Sequence, residues 1–103
     1  MFARTSTWAG NPEALERWAI QAQSTVRPFV EGLAGNQGVF FLIDREAGRA
    51  LTLTLWSSER EARASDRAAE ESRARTVAAA GVDLVERGRY EVVSGAEGPR
   101  VSP

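Results

Sequence analysis

Two hydroxyl groups and an indole recur at alternate positions of one short segment, as Thr52, Thr54 and Trp56. Alternate residues of an extended strand point to the same side of a sheet, so these three side chains share one face. A threonine hydroxyl both donates and accepts hydrogen bonds, and an indole combines a large aromatic surface with one N–H donor. We therefore predict that this face forms part of a ligand-binding cavity.

The amino-acid composition excludes many kinds of catalytic site. The 103 residues include no Cys and no His, and all 13 basic residues are arginine. Thiolate nucleophiles, soft metal sites, Ser-His-Asp triads, zincin sites, haem ligation by histidine and lysine Schiff bases are thereby excluded. We predict no metal site and no cofactor. What remains is carboxylate acid–base chemistry, Tyr90 as a phenol, anion binding by arginine, aromatic stacking, and reactions in which the substrate supplies the electrons.

The charge pattern argues against large anionic partners. The net charge is -1, and the 14 acidic residues are interspersed with the arginines, so no basic surface is expected for nucleic acid or anionic lipid. No basic, apolar leader is present at the start, and no apolar run approaches the roughly 18 residues of a membrane span. We expect a soluble cytoplasmic protein with neither nucleic acid nor membrane as a partner.

Apolar periodicity and turn residues predict the helix and the strands in the first half of the chain. Asn11 and Pro12 are typical of a helix start, and apolar residues at three- and four-residue steps extend that helix to Leu33, with a kink at Pro28. The Thr/Leu alternation after the turn 44–49 predicts the third strand. The predicted strands here are 2–8, 39–43 and 50–56.

A helix start and a glycine stop delimit the second half. Ser58 and Glu61 match a capping box, in which the Ser hydroxyl accepts from the Glu amide and the Glu carboxylate returns to the Ser amide. A helix over 59–80 follows, with a solvated Arg/Glu/Asp-rich face over 59–75, and Gly81 ends it. The remaining segments are a last strand over 82–93 with a bulge at Gly88, and a flexible tail over 94–103.

The order strand, helix, strand, strand, helix, strand predicts an α+β, ferredoxin-like βαββαβ domain over residues 1–93 with a four-stranded antiparallel sheet. Both helices then cover one face of that sheet. Segment 39–43 is apolar at every position, and Leu51, Leu53 and Leu55 lie opposite the Thr/Trp face, so both faces require burial. We therefore predict a homodimer in which two sheets face each other.

The sequence resembles the antibiotic biosynthesis monooxygenase family of dimeric α/β barrels. The resemblance covers residues 1–93 and rests on the element order together with Gly38-Val39-Phe40-Phe41-Leu42, Leu53-Thr54-Leu55-Trp56-Ser57-Ser58-Glu59 and Arg89-Tyr90-Glu91-Val92-Val93. It implies a dimeric α/β barrel. The same scaffold carries quinone-forming monooxygenases, haem-degrading oxygenases, small isomerases and proteins without known activity.

The resemblance also implies positions for a catalytic site. Members that oxidise polycyclic phenols without metal or flavin hold an oxyanion with an Asn, a Trp, a Tyr and an Arg. In this sequence Trp56 matches the Trp, Thr52 replaces the Asn, Ala62 replaces the Tyr, and Thr76 replaces the Arg, with Arg73 and Arg75 close by. Haem-degrading members use an Asn, a second Trp and an iron-binding His, and the corresponding places here are Thr5 or Ser6, Ser65 and about Arg75.

Three functional hypotheses follow. The first is a cofactor-independent monooxygenase-like protein acting on a small electron-rich aromatic compound, with catalytic residues unassigned and Trp56, Thr52, Thr54, Trp18 and Phe29 as ligand-binding residues. The second is a non-catalytic dimeric protein of the same fold that binds a small hydrophobic ligand or serves as an accessory. The third is an isomerase or decarboxylase that uses Asp83 or Glu86.

The strand arginines Arg4, Arg87 and Arg89 have two interpretations. An arginine that faces a cavity can bind an anionic ligand. The interpretation we favour from the sequence is exposure at a sheet edge or pairing with a carboxylate of another subunit.

Overall fold

The computed structural model describes residues 1–95, which form a four-stranded antiparallel sheet with helices on one face. The strands are β1 (Phe2–Ala9), β2 (Asn36–Asp44), β3 (Arg49–Trp56) and β4 (Asp83–Glu91), in the order β2-β3-β1-β4 across the sheet. The helices are α1 (Pro12–Gln21), α2 (Arg27–Glu31), α3 (Glu59–Ala64) and α4 (Asp66–Ala80), and a π-helical turn (Ala22–Val26) joins α1 to α2. The predicted α+β, ferredoxin-like fold is confirmed.

The predicted tail over 94–103 lies outside the described residues except for Ser94 and Gly95. Over residues 1–95, none of the helices combines the length and the apolar character that a membrane crossing requires.

The first helical segment begins and bends where the sequence predicts. The Asn11 side chain accepts from the Ala14 amide at 2.8 Å, and Pro12 occupies the first turn. A proline inside a helix clashes with the carbonyl four residues earlier, which here belongs to Ser24. The chain widens into the π-helical turn just before Pro28, and the Arg27 amide bonds to the Ala22 carbonyl. The turn thus splits the predicted helix into α1 and α2.

The main hydrophobic core lies between α1, the start of β4 and the sheet. Trp18 of α1 is 3% exposed and packs edge-to-face on Phe41 of β2, with ring centroids 6.0 Å apart. The apolar stripe predicted for α1 therefore faces the sheet. The other buried members of this core are Trp8, Ala14, Leu15, Ala50, Ala80 and Val82.

The structure corrects the prediction of one helix over 59–80. The helix is interrupted at Ser65, which separates α3 from α4. The Ser65 hydroxyl donates to the Ala62 carbonyl at 2.8 Å, so a side chain competes with the backbone for that acceptor. Arg4 of β1 donates to the Ser65 hydroxyl at 2.8 Å and also to the Ala62 carbonyl. The break is held by a residue 61 positions earlier in the chain, which local sequence cannot indicate.

The start of α3 confirms one half of the predicted capping box and corrects the other. The Ser58 hydroxyl accepts from the Glu61 amide at 3.3 Å, as predicted. The Glu61 carboxylate accepts from the Ser57 hydroxyl rather than returning to the Ser58 amide. The additional hydroxyl of Ser57 lies four residues before Glu61 and donates to its carboxylate, which is therefore not bonded to the Ser58 amide.

The bulge predicted at Gly88 lies elsewhere in β4. Thr7 pairs with Glu86 and Trp8 with Leu84, so Val85 is the additional residue, whereas Gly88 pairs regularly with Thr5. A β-carbon at position 88 would lie 2.5 Å from both Thr5 Oγ1 and Tyr90 Cε2. The absence of a side chain at Gly88 therefore makes room for the Tyr90 ring on the face opposite the helices.

One copy of the chain leaves that face of the sheet uncovered. Phe40, Leu42 and Tyr90 are 55%, 50% and 53% exposed. Leu51 and Leu53, their neighbours on β3, are half-buried. All four helices lie on the other face, as predicted, together with Thr52, Thr54 and Trp56.

Candidate ligand-binding cavity

A cavity of about 50 Å³ lies between the sheet and the pair α2 and α4. The strands β1 and β3 form its floor, and the two helices with the π-helical turn form its roof. Trp56 is 1% exposed at the end of β3, so its ring is enclosed by the floor and the roof together. The floor consists of Arg4, Ser6, Trp8, Thr52, Thr54 and Trp56, and the roof includes Val26, Phe29, Val30, Ala69, Ser72, Arg73 and Thr76.

The structure brings four of the five predicted ligand-binding residues to this cavity. Thr52, Thr54 and Trp56 lie on its floor and Phe29 lies in its roof. Trp18 lies instead in the main core against Phe41 and is not among the lining residues. The reason is that Trp18 belongs to α1, before the π-helical turn, whereas the cavity lies beneath α2.

The polar groups on the floor bond to one another. The Trp56 indole N–H donates to Thr54 Oγ1 at 3.0 Å, and the Trp8 indole N–H donates to Thr52 Oγ1 at 3.1 Å. Thr54 Oγ1 in turn donates to the Arg4 carbonyl at 3.4 Å. Since buried donors without partners are costly, these pairs let two indoles and two hydroxyls lie under the helices. A ligand on this floor therefore meets mainly aromatic and methyl surface.

The cavity as it stands is smaller than an aromatic ligand. A cavity of about 150 Å³ is large enough to bind benzene, three times the volume found here. Phe29 of α2 lies at the outer side with 36% exposure, and the Arg75 guanidinium of α4 stacks 5.6 Å from its ring centroid. This pair links the two roof helices, and a ligand of aromatic size requires part of the cavity lining to move.

Arg4 places a buried positive charge beside the aromatic floor. Its side chain is 8% exposed and its guanidinium lies 5.7 Å from the centre of the Trp56 ring. Burial lowers the pKa of Arg4 from its ordinary value, and the nearby Asp66 carboxylate opposes that change. Arg4 pairs with Asp66 and bonds to Ser65, so it joins β1 to the start of α4.

Arg73 lies in the cavity lining, although the family resemblance assigned the arginine position to Thr76 and placed Arg73 only close by. It was expected on a solvated helix face, but its side chain is only 11% exposed and lines the cavity. Its Nη2 donates to the Glu70 carboxylate at 2.5 Å. Its Nε is the one buried side-chain polar atom without a hydrogen-bond partner in the part of the chain that the structure describes. The burial of Arg73 depends on how α4 packs beside β1, and the spacing of residues in the sequence does not indicate that packing.

The other positions implied by the family resemblance hold small side chains. Ala62 is fully buried at the α3–α4 break, and Thr76 lines the cavity with its hydroxyl bonded to the Ser72 carbonyl at 3.0 Å. Arg73, one turn before Thr76, therefore brings the only guanidinium that α4 contributes to the cavity lining.

A charged groove adjoins the cavity on the side of β4. The strand arginines pair with carboxylates of α4 in the same chain, which corrects the expected pairing with another subunit. Arg87 and Arg89 are exposed on the edge strand β4, as expected, whereas Arg4 is buried. Arg89 bonds to both Asp66 oxygens at 2.9 and 2.8 Å, and Arg87 bonds to Glu70. Arg4 and Arg73 line both this groove and the cavity. The groove has a volume of about 320 Å³.

Comparison with solved structures shows the same fold. A monooxygenase from the gene ActVA-Orf6 of Streptomyces coelicolor, solved with nanaomycin D, has a TM-score of 0.70 and 16% identity, with 96% of this chain and 92% of that one covered. A candidate antibiotic biosynthesis monooxygenase of Deinococcus radiodurans has a TM-score of 0.70 and 12% identity, covering 97% and 100%. A variant of MhuD with two manganese protoporphyrin IX molecules per active site has a TM-score of 0.69 and 16% identity, covering 95% and 100%.

Sequence comparison reaches less far. No family model matches the sequence. Uncharacterized proteins of two Mycobacterium tuberculosis strains are each 28% identical to this chain over 65 residues. These residues are 63% of this chain, and the chain matches 29% of the length of those relatives. The resemblance to the antibiotic biosynthesis monooxygenase family is thus confirmed at the level of the fold.

Proposed function

We propose that this protein is a cofactor-independent, monooxygenase-like enzyme that acts on a small electron-rich aromatic compound in the cavity above Trp56. The observation that carries the proposal is the enclosed floor of Trp56, Thr52 and Thr54 beneath Phe29, since aromatic surface on two sides suits a planar ligand. The solved monooxygenases with the same fold support the reaction class.

The chemistry requires a substrate that supplies its own electrons. A phenol that loses its hydroxyl proton becomes an anion that can pass an electron to dioxygen. For 1-naphthol the balanced reaction is one naphthol and one dioxygen to one 1,4-naphthoquinone and one water. One oxygen atom enters the ring and the other leaves as water, and the ring supplies the four electrons. The role of the chain is to hold the aromatic body and exclude bulk water while the anion reacts.

One observation favours a second candidate function, a non-catalytic protein that binds a small hydrophobic ligand in the same cavity. The Trp56 N–H is occupied by Thr54, and the Trp8 N–H is occupied by Thr52. These donors are therefore not directed at a developing oxyanion, which an oxidising site is expected to stabilise. A binding protein needs only the apolar walls.

Dioxygen uptake and ligand binding together distinguish the two functions. We would titrate the protein with 1-naphthol under nitrogen, following tryptophan fluorescence, and then measure dioxygen uptake after subtracting the rate without protein. Binding with uptake that falls about tenfold or more in Trp56→Phe, a loss of about 1.4 kcal/mol of transition-state stabilisation, supports the enzyme. Thr25→Val, on the exposed side of the π-helical turn, is the matched control. Binding without uptake overturns the oxidation and supports the second candidate, and absence of binding overturns both.

We also propose that a second copy of this chain covers the open face of the sheet. Phe40, Leu42 and Tyr90 are each at least half exposed there, beside the half-buried leucines of β3. Contiguous apolar surface of this kind on a small domain is typical of an interaction site. The cavity opens on the opposite side of the sheet, so a dimer of this kind leaves the ligand site accessible.

A further inference from the structure

The apolar cavity and the charged groove are separated by two shared side chains. Arg4 and Arg73 line both spaces, and their side chains are 8% and 11% exposed. A molecule that extends from the Trp56 floor toward β4 therefore meets two guanidinium groups before it reaches solvent.

The carboxylates around these guanidiniums do not balance them. Asp66 is shared by Arg4 and Arg89, and Glu70 is shared by Arg73 and Arg87. Both carboxylates are close to half exposed, whereas the side chains of Arg4 and Arg73 are largely enclosed. Four arginines and two carboxylates leave an excess of two positive charges among the residues lining the groove.

Arg73 also has a donor that its pairing with Glu70 does not use. Its Nη2 bonds to Glu70, but its Nε is buried and has no partner among residues 1–95. Buried polar groups in folded proteins nearly always have a partner, and an exception calls for a specific explanation. An acceptor oxygen of a bound ligand would supply that partner.

We infer that the ligand carries a carboxylate, which binds to Arg73 and Arg4 while its aromatic body lies on Trp56. This inference rests on the proposed function and adds the substrate class, an aromatic carboxylic acid. A carboxylate suits the site because its two oxygens match the parallel donors of a guanidinium and because a charge-assisted hydrogen bond is stronger than a neutral one. Arg87 and Arg89, at the outer side of the groove, attract the anion toward the buried pair.

A matched pair of probes tests this inference. 2-Naphthoate and 2-naphthalenemethanol share one aromatic body and differ in charge, and the affinity of each is measured from tryptophan fluorescence. We expect naphthoate to bind about tenfold or more tightly, a difference of about 1.4 kcal/mol, and to lose most of this preference in Arg73→Gln. Arg27→Gln, an exposed arginine paired with Glu31 on α2, is the control that keeps the preference.

A second variant and a salt series protect the test against a folding defect. Circular dichroism and thermal unfolding first establish that Arg73→Gln is folded. Arg87 is 56% exposed, so Arg87→Gln is expected to fold and to reduce the preference by about two- to threefold, with a further decrease at high salt.

The outcomes separate this inference from the proposed function. If the alcohol binds as tightly as the carboxylate, or if Arg73→Gln and Arg87→Gln both keep the preference, the inference of a carboxylate ligand is wrong. The proposal that the cavity binds an aromatic compound is then unaffected. If neither probe binds, the proposal that the cavity binds an aromatic compound is wrong, and so is the inference of a carboxylate ligand that depends on it.

Discussion

Arg4 Nη1 donates to the Ser65 hydroxyl at 2.8 Å, and this contact ties the first strand of the sheet to the break between α3 and α4. The same guanidinium bonds to the Ala62 carbonyl and pairs with Asp66, the first residue of α4. One buried side chain thus satisfies a helix end, fixes the direction of the next helix and stands beside Trp56. The position of the cavity roof depends on it.

Arg4→Met is therefore expected to destabilise the fold. It removes bonds to Ser65, Ala62 and Asp66, and it leaves a buried carbonyl and hydroxyl with fewer partners. We expect the free energy of unfolding to fall by about 2–3 kcal/mol, because hydrogen bonds to a charged group contribute about 1.5–3 kcal/mol and Asp66 remains partly hydrated. Urea unfolding measures the change. Arg49→Met, an exposed position on β3, is the control and should stay within about 0.5 kcal/mol of the parent. Equal effects of the two variants would contradict this role for Arg4.

Leu53→Asp tests the second copy on the open face. Leu53 pairs with Phe40 of β2 and Thr5 of β1, so it lies near the centre of the uncovered sheet surface. An aspartate there would be buried and unpaired in a dimer, but solvated in a monomer. Sedimentation velocity should show a dimer for the parent at micromolar concentration and a monomer for the variant. Ile20→Asp, at a 66% exposed position of α1, should leave the dimer intact. A parent chain that sediments as a monomer would eliminate the proposed second copy.

Gly81→Ala tests the end of α4. Gly81 has φ 74°, a left-handed conformation, and its amide bonds to the Val77 carbonyl at 2.9 Å. A β-carbon strains that conformation by about 1–2 kcal/mol, so the variant should lose about that much stability. Gly32→Ala is the matched control, since Gly32 has φ -82° and its nearest contacts to a new β-carbon are 3.6 Å away. Thermal unfolding separates the two variants, and an equal loss in both would show that backbone conformation is not the cause.

Glu70→Gln tests the electrostatics of the charged groove. A hydrogen bond from Arg73, with further attraction from Arg73 and Arg87, lowers the pKa of Glu70 below its ordinary value of 4.5. Because the unfolded chain then binds the proton more readily, this contribution to stability is present above pH 4.5 and is lost as the pH falls through the lower folded-state pKa.

The expected result is a smaller acid-induced loss of stability in Glu70→Gln than in the parent between pH 6 and pH 3. Urea unfolding at a series of pH values measures it. Glu46→Gln, exposed in the turn between β2 and β3, supplies the comparison. A Glu70→Gln profile that runs parallel to the parent would contradict the pairing with Arg73.

The local signals in the sequence predicted the fold well. Asn11 with Pro12, Pro28, Ser58 and Gly81 act through backbone geometry within one or two turns, so their effects are visible without knowing the rest of the molecule. The alternation from Leu51 to Trp56 likewise separated the two faces of β3, because strand geometry has a period of two. The likeness to solved antibiotic biosynthesis monooxygenase structures agrees with these elements.

The predictions that the structure corrects concern features set by contacts between residues far apart in the sequence. Ser65 breaks the second helix because Arg4 of β1 bonds to it, and the β4 bulge lies at Val85 because pairing with β1 decides the register. Arg87 and Arg89 pair within the chain because α4 crosses beside β4.

By itself, the sequence determined the order of the strands and helical segments, the residues at which those helical segments begin, and the set of side chains on the Thr52, Thr54 and Trp56 face. Only the tertiary structure decided which helices cover that face and which positive charges exceed the carboxylates in the adjoining groove. The physical reason is that burial and charge pairing depend on the distance between elements. The packing of α4 beside β1 encloses Arg73, an expected surface residue, so that its Nη2 bonds to Glu70 while its buried Nε has no partner among residues 1–95.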